Sequence, residues 1–235
     1  MKNRELNDSN LSEITNEPST GATTRRDFLS MAAVGLTAGG TLLKSGETLA
    51  QAKGYAEIQP AQQVSSPEGR IEVLEYFWFG CPHCYAFEPA INEWAASRPE
   101  YVDFVREAPP LNPSWRPHSE AFYAAEQLGV TDKFFDQMFN GIHKEKRNLR
   151  NRKNIAKFAG ELGIDSKEFL AAMKSFAVET RMRQSMQKAM NAGITGVPSV
   201  IIHGKYRTGN SLAGSHAGII KVINDMVDVE YKKVS

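Results

Sequence analysis

The sequence predicts an α/β fold in which a mixed β-sheet is interrupted by an all-helical insertion. Three observations carry this reading. Residues 71–79 form a largely apolar run of the kind found in a strand covered on both faces. Residues 109–117 hold four prolines and are expected to form no regular structure, so they mark a boundary. Helical periodicity then fills residues 118–191, and strand-forming residues return only at Ser199.

Composition sets the outer limits. A chain of 235 residues with 41% hydrophobic content can bury a core. Lys plus Arg number 28 against 27 for Asp plus Glu, so no global field draws the protein to nucleic acid. No apolar run reaches the roughly 18 to 20 residues that span a bilayer. The amino-terminal 52 residues read instead as a cleaved signal. Thr24-Arg25-Arg26-Asp27-Phe28-Leu29 precedes a weakly apolar stretch at 31–43, and Ala50-Gln51-Ala52 supplies a small-x-small cleavage site. This order resembles a twin-arginine export signal and implies export to the periplasm, an oxidising compartment where protein disulfides persist.

The mature chain begins with a short edge strand at 54–60 and a turn at 65–69, followed by the central strand 71–79. Cys84, Phe87, Ile91 and Trp94 recur at helical spacing over 83–97, with Pro89 predicting a kink. Residues 101–106 alternate as a second strand. Helices are expected at about 118–128, 131–146, 151–162, 166–175 and 177–191, three of them stopped by Gly129, Gly163 and Gly193. Asp165 is a suitable N-cap for the fourth. Strands at 199–203 and 206–208 flank a tight Gly204-Lys205 turn, and a helix over 216–229 closes the chain. The basic run 144–153 reads as a solvated helix end.

The entire cysteine content is Cys81-Pro82-His83-Cys84, placed directly behind the central strand. Two cysteines with no other partner, where a strand turns into a helix, read as a redox-active dithiol. An inert disulfide closing so small a loop would constrain the unfolded chain little. At the helix N-terminus Cys81 meets unpaired N–H groups and the positive end of the dipole, which makes it the nucleophile. The dipole supplies at most about 2 kcal/mol, and a pKa unit is worth about 1.4, so local groups must add to it. His83 and the N–H groups of residues 83 and 84 are the candidates, while Pro82 fixes the first turn. Cys84, one turn deeper, is the resolving sulfur. Zinc needs about four ligands, and the five histidines show no metal spacing. A copper carrier on Cys81 and Cys84 is a weighed alternative; no metal and no cofactor are expected.

Phe79-Gly80-Cys81-Pro82-His83-Cys84-Tyr85, Phe87-Glu88-Pro89 and Gly196-Val197-Pro198-Ser199 together resemble the DsbA family of periplasmic thiol-disulfide oxidoreductases. The resemblance covers roughly residues 55–230. It implies a thioredoxin-like domain from 53–108 and 194–235, with the helical insertion at 109–193. It implies a cis bond at Val197-Pro198, lying against the dithiol and leaving backbone free to pair with an extended substrate. It also implies that Glu75, six residues before Cys81, is a buried acid exchanging protons with Cys84.

The expected activity is donation of the Cys81–Cys84 disulfide to reduced, unfolded exported proteins, with reoxidation by a DsbB-type quinone-linked membrane oxidase. An isomerase or reductase on the same fold is the alternative. Only residues 53–70 precede the central strand after the cleavage site, too few for the dimerisation domain such isomerases carry, so a monomer is expected. Of the aromatics Tyr76, Phe77, Trp78, Phe79, Tyr85 and Phe87, most are expected in the core and a minority on an apolar substrate surface.

Overall fold

The computed structural model describes residues 53–234, so the expected signal segment lies outside the described residues. Five strands form one sheet in the order β1-β5-β4-β2-β3. These are β1 (Ala56–Glu57), β2 (Ile71–Tyr76), β3 (Val102–Glu107), β4 (Ser199–Ile202) and β5 (Tyr206–Gly209). All six residues of β2 are buried. It pairs in parallel with β3 and antiparallel with β4, while β1 and β5 extend the sheet on the β4 side.

The central strand is shorter than the apolar run suggests. Its ladder ends where both partners run out: Tyr76 is registered with Glu107 and with Ser199, and a last bond joins the Phe77 N–H to the Glu107 carbonyl at 3.1 Å. Beyond it, Phe77 and Phe79 leave the sheet for a separate core built with the helical insertion. Phe77 packs edge-to-face on Phe79, Phe122 and Phe135, with centroids 5.0 to 5.1 Å apart. Such pairs each add about 0.5–1.5 kcal/mol beyond burial.

The first long helix, α1 (Pro82–Ser97), carries Pro89 internally without ending there. With the closing helix α8 (His216–Val234) it covers one face of the sheet, burying Phe87, Ile91 and Trp94 with Ile71, Val73, Ile219 and Ile223. Leu74, Tyr76 and Ile201 face the other side, against Ala189, Ala192 and Ile194. Alternation along β2 therefore puts residues 71, 73 and 75 under α1. Between β3 and β4 lie α2 (Arg116–Gln127), α3 (Thr131–His143), α4 (Arg152–Glu161), α5 (Ser166–Met173) and α6 (Phe176–Asn191), and a short α7 (Asn210–Ala213) follows β5.

The caps explain these boundaries. Asp165 accepts from the N–H groups of Lys167 and Glu168, and Asn151 and Ser175 cap α4 and α6 in the same way. The chain leaves α2 and α4 through Gly129 and Gly163 at φ 66 and 75, where a Cβ would be strained.

Two expectations are corrected. The proline-rich stretch is not wholly irregular: Asn112 caps a 3-10 turn at Pro113–Trp115, and α2 begins at Arg116 because proline suits the first turn of a helix, where its missing N–H is not needed. The basic run is not simply solvated. Arg147 pairs with Glu161 and lies over the Phe158 ring, while Arg152 and Arg116 both hold Glu120, a carboxylate only 1% exposed. A carboxylate that deep requires such pairing.

Candidate active site

The site grows from the turn between β2 and α1. Cys81 is the N-cap residue, extended at φ −83 and ψ 116, and its sulfur accepts from the Cys84 N–H at 3.4 Å. Pro82 occupies the first helical position, where it surrenders no bond. Both cysteines are free thiols and both are buried, Cys84 completely.

Their chemistry is opposite. The Cys81 thiol is lowered from 9.0 to about 6. The hydrogen bond from the Cys84 thiol is the largest cause, burial opposes it, and the Cys84 and His83 N–H groups and the His83 charge follow. Cys84 is driven far upward, first by burial and then by Cys81 and Glu75. His83 contributes through both its N–H and its charge, and the charge is the smallest of these causes. Its ring is exposed to solvent, where charge is screened, while the second cysteine three residues on sits directly against the first.

Beneath α1 lies a buried charged cluster. Glu75, fully buried, accepts from Arg106 Nε at 2.9 Å. The other arm of Arg106 donates to Glu88 at 3.1 Å and to Asn92 Oδ1 at 2.7 Å. Burial raises Glu75 despite the arginine, and it raises Glu88 to about 8 with Glu75 adding repulsion. Oε1 of each glutamate has no partner. Two carboxylates sharing one guanidinium favour keeping one proton between them near neutral pH.

Arg106 and Glu88 were not singled out from the sequence as site residues. The signal for Glu88 is its spacing, since Cys84 and Glu88 stand at i and i+4 on one helix face. Arg106 becomes visible only once the register of β2 with β3 sets it opposite Glu75.

The third part is the loop before β4. The Val197-Pro198 bond is cis, as is Gln59-Pro60. When protonated, the Cys81 thiol donates to the Val197 carbonyl at 3.5 Å, and Ser199 Oγ ties the loop to the Gly196 carbonyl at 2.7 Å. A groove of about 320 Å³ opens here, lined by His83, Thr195, Val197, Pro198, Asn210 and Leu212 among others. The structure therefore sets Val197 and Pro198 against the turn that carries Cys81, Pro82, His83 and Cys84, with Glu75 beneath it.

Among the aromatics, Tyr76, Phe77, Phe79 and Phe87 are core residues, whereas Trp78 and Tyr85 are half-buried. Tyr85 donates to Asn140 at 2.9 Å and stacks on His143, whose Nε2 lies 2.7 Å from the Phe79 carbonyl, so α3 braces the redox turn. His118 is buried with Nε2 2.8 Å from the Leu149 carbonyl, and burial lowers it to about 4. Among the described residues no three His, Cys, Asp or Glu side chains are grouped to hold a metal.

Residues 72–216 match the family described as the DSBA-like thioredoxin domain. A thiol:disulfide interchange protein DsbA of Burkholderia cepacia is 38% identical over 186 residues, covering 79% of this chain and 88% of that one. Its namesake from Pseudomonas syringae pv. tomato is 35% identical over 206 residues, covering 88% and 96%. The crystal structure of Pseudomonas aeruginosa DsbA superposes with a TM-score of 0.73 at 36% identity, over 77% of this chain and 94% of that one.

The lowered Cys81 thiol has a consequence for stability with a definite sign. A thiol of about 8.5 in an unfolded chain holds its proton between pH 6 and 8.5, while the folded protein has released it, so folding gains as pH rises through that window. The unfolding free energy of the reduced protein minus that of Cys81→Ser is expected to rise from about pH 6 to about 8.5 and to level off on either side. Urea titrations in reductant read this difference, and a flat difference across the window would show that Cys81 is an ordinary thiol.

Proposed function

The chain belongs to the DsbA family of thiol:disulfide oxidoreductases, and from that premise we propose that it donates its Cys81–Cys84 disulfide to newly exported proteins in the periplasm. The observation that carries this reading is the opposition between the two sulfurs, one lowered to about 6 and the other pushed far up. A disulfide oxidant is a protein whose reduced form is comfortable, and a stabilised Cys81 thiolate provides that comfort.

The exchange proceeds in two displacements. A substrate thiolate attacks Cys81 Sγ, a substrate–Cys81 bond forms, the Cys81–Cys84 bond breaks, and its electron pair leaves on Cys84. Cys84 takes up a proton, for which Glu75 is the nearby acid, coupled through Arg106 to Glu88. The substrate's second thiolate then attacks its own sulfur in the mixed disulfide and expels Cys81 as a thiolate. The substrate has lost two electrons and the enzyme has gained them.

The groove at the cis Val197-Pro198 loop offers backbone on which an extended segment can lie while its cysteine meets Cys81. A quinone-linked membrane oxidase of the DsbB type returns the two electrons to the respiratory pool. Export by the twin-arginine route is supported by the pair Arg25-Arg26 with Phe28 and Leu29.

Equilibration with glutathione tests the direction of electron flow. The Cys81–Cys84 couple is expected to be less negative than the glutathione potentials near −220 mV, and a value close to thioredoxin's, about −270 mV, would make the protein a reductant. Glu75→Gln tests the proton path: once the dependence set by ionisation of the substrate thiol is divided out, the rate of disulfide exchange is expected to lose its remaining dependence on pH around neutrality, and an unchanged pH profile removes Glu75 from the mechanism. Replacing Arg25 and Arg26 together by lysine is expected to leave uncleaved precursor in the cytoplasm, whereas normal periplasmic delivery would rule out the twin-arginine route.

A further inference from the structure

Beside the redox turn lies a second concavity that the exchange reaction does not use. A cleft of about 670 Å³ is walled by Trp78, Gly80, Pro113, His118, Lys146 and Arg150 among others. One wall is aromatic: the Trp78 ring stacks on Trp115 at 4.6 Å and 6°, and on His118 at 5.7 Å. The cleft meets the reactive turn at Gly80, the residue before Cys81. A Cβ there would strike the Trp78 ring at 2.3 Å, so glycine is what lets the indole lie against the turn. The Trp78 carbonyl in turn accepts from the Cys81 N–H at 2.9 Å.

The rim is cationic and no carboxylate lines it. Arg147 is paired with Glu145 and Glu161, but Lys146 and Arg150 are exposed and pair with no carboxylate among the described residues. Lys146 stands at φ 57, a left-handed conformation that side chains other than glycine rarely adopt and that clusters at functional sites. Bonds from the Glu145 N–H to the Asn140 carbonyl and from the Arg147 N–H to the Gly141 carbonyl hold that turn.

Two buried ring nitrogens of the lining residues, Trp78 Nε1 and His118 Nδ1, have no partner, which is unusual for buried polar atoms. His118 Nε2 faces the Leu149 carbonyl and so carries the proton, which leaves Nδ1 an acceptor while Trp78 Nε1 is a donor. Both atoms are closed to solvent and so belong to the packed wall of the cleft, not to its open surface.

We propose that this cleft receives an acidic segment of the substrate protein adjacent to the cysteine being oxidised, its carboxylate held by Lys146 and Arg150 and its less polar atoms laid over Trp78. The proposal rests on the disulfide-donor reading above and names the substrate class that reading leaves open. It adds charge selection to a reaction whose sulfur chemistry is blind to sequence.

The test is a pair of dithiol peptides identical except that one carries two glutamates beside the reactive cysteine and the other two glutamines. At low ionic strength the protein is expected to oxidise the glutamate peptide with a kcat/KM about five-fold higher, an advantage that shrinks as salt screens it. The double variant K146E/R150E is expected to reverse the preference. Equal values for the two peptides with the unaltered protein, or a preference that survives the charge reversal, would overturn the cleft as an acidic subsite. Oxidation of the glutamine peptide isolates the parent reading: if neither peptide is oxidised the disulfide-donor function itself fails, and the subsite with it.

Discussion

The structure depends on one asymmetry, the placement of two thiols three residues apart on the first turn of a helix. Cys81 caps the helix and meets its free N–H groups, while Cys84 turns into the core. Near neutral pH the reduced site is therefore one thiolate and one thiol, with the Cys84 S–H donated to the Cys81 sulfur. That hydrogen bond exists only when the disulfide is open. Closing the disulfide removes it together with the anion the helix start stabilises, so the local chemistry of a single turn penalises the oxidised form and drives the disulfide onto another protein.

A sulfur held at so high a pKa needs a proton when it leaves, and this one is shielded from solvent. In the proposed exchange Glu75 is the group that meets this need: the pleat of β2 places it under α1, on the same face as Ile71 and Val73. A lone buried carboxylate would be expensive. Here it shares Arg106 with Glu88, and the arginine is itself sandwiched near Phe104 and Phe135, 4.8 and 4.5 Å from their ring centroids. Two negative groups on one positive one leave an excess charge in a low-dielectric interior, and retaining a proton is the least costly way to cancel it. A proton retained by this cluster thus follows from incomplete neutralisation.

The sequence carried much of this. Cys81 at the helix start, Cys84 in the core, the order of strands and helices, and the Asp165 cap could all be read from local rules, because each depends on residues within one turn or one strand. What escaped depends on contacts distant in sequence. Strand β2 stops at Tyr76 because β3 and β4 stop opposite it, although Phe77 and Phe79 continue the apolar run. Arg106 is an unremarkable strand residue until register sets it beside Glu75. Arg152 belongs to a basic run until α2 presents the buried Glu120 to it. For His83 the position between the cysteines was legible, while the exposure that makes its charge the smallest of the causes lowering Cys81 was not.

Sulfur chemistry and substrate choice are separable in this architecture. The groups that lower Cys81 lie within the first turn of α1. The second cleft draws its charge from the link between α3 and α4 and its aromatic wall from Trp78, which stacks on Trp115, and His118. Charges on exposed side chains act weakly through water and are screened over about 8 Å at physiological salt, so substitutions at Lys146 or Arg150 can change which chains dock without resetting the sulfur. Trp78 is the exception: its ring builds the cleft while its carbonyl holds the Cys81 N–H, and Gly80 must stay small for the ring. Variation in substrate preference is therefore freer along the insertion's rim than at the two residues where rim and redox turn join.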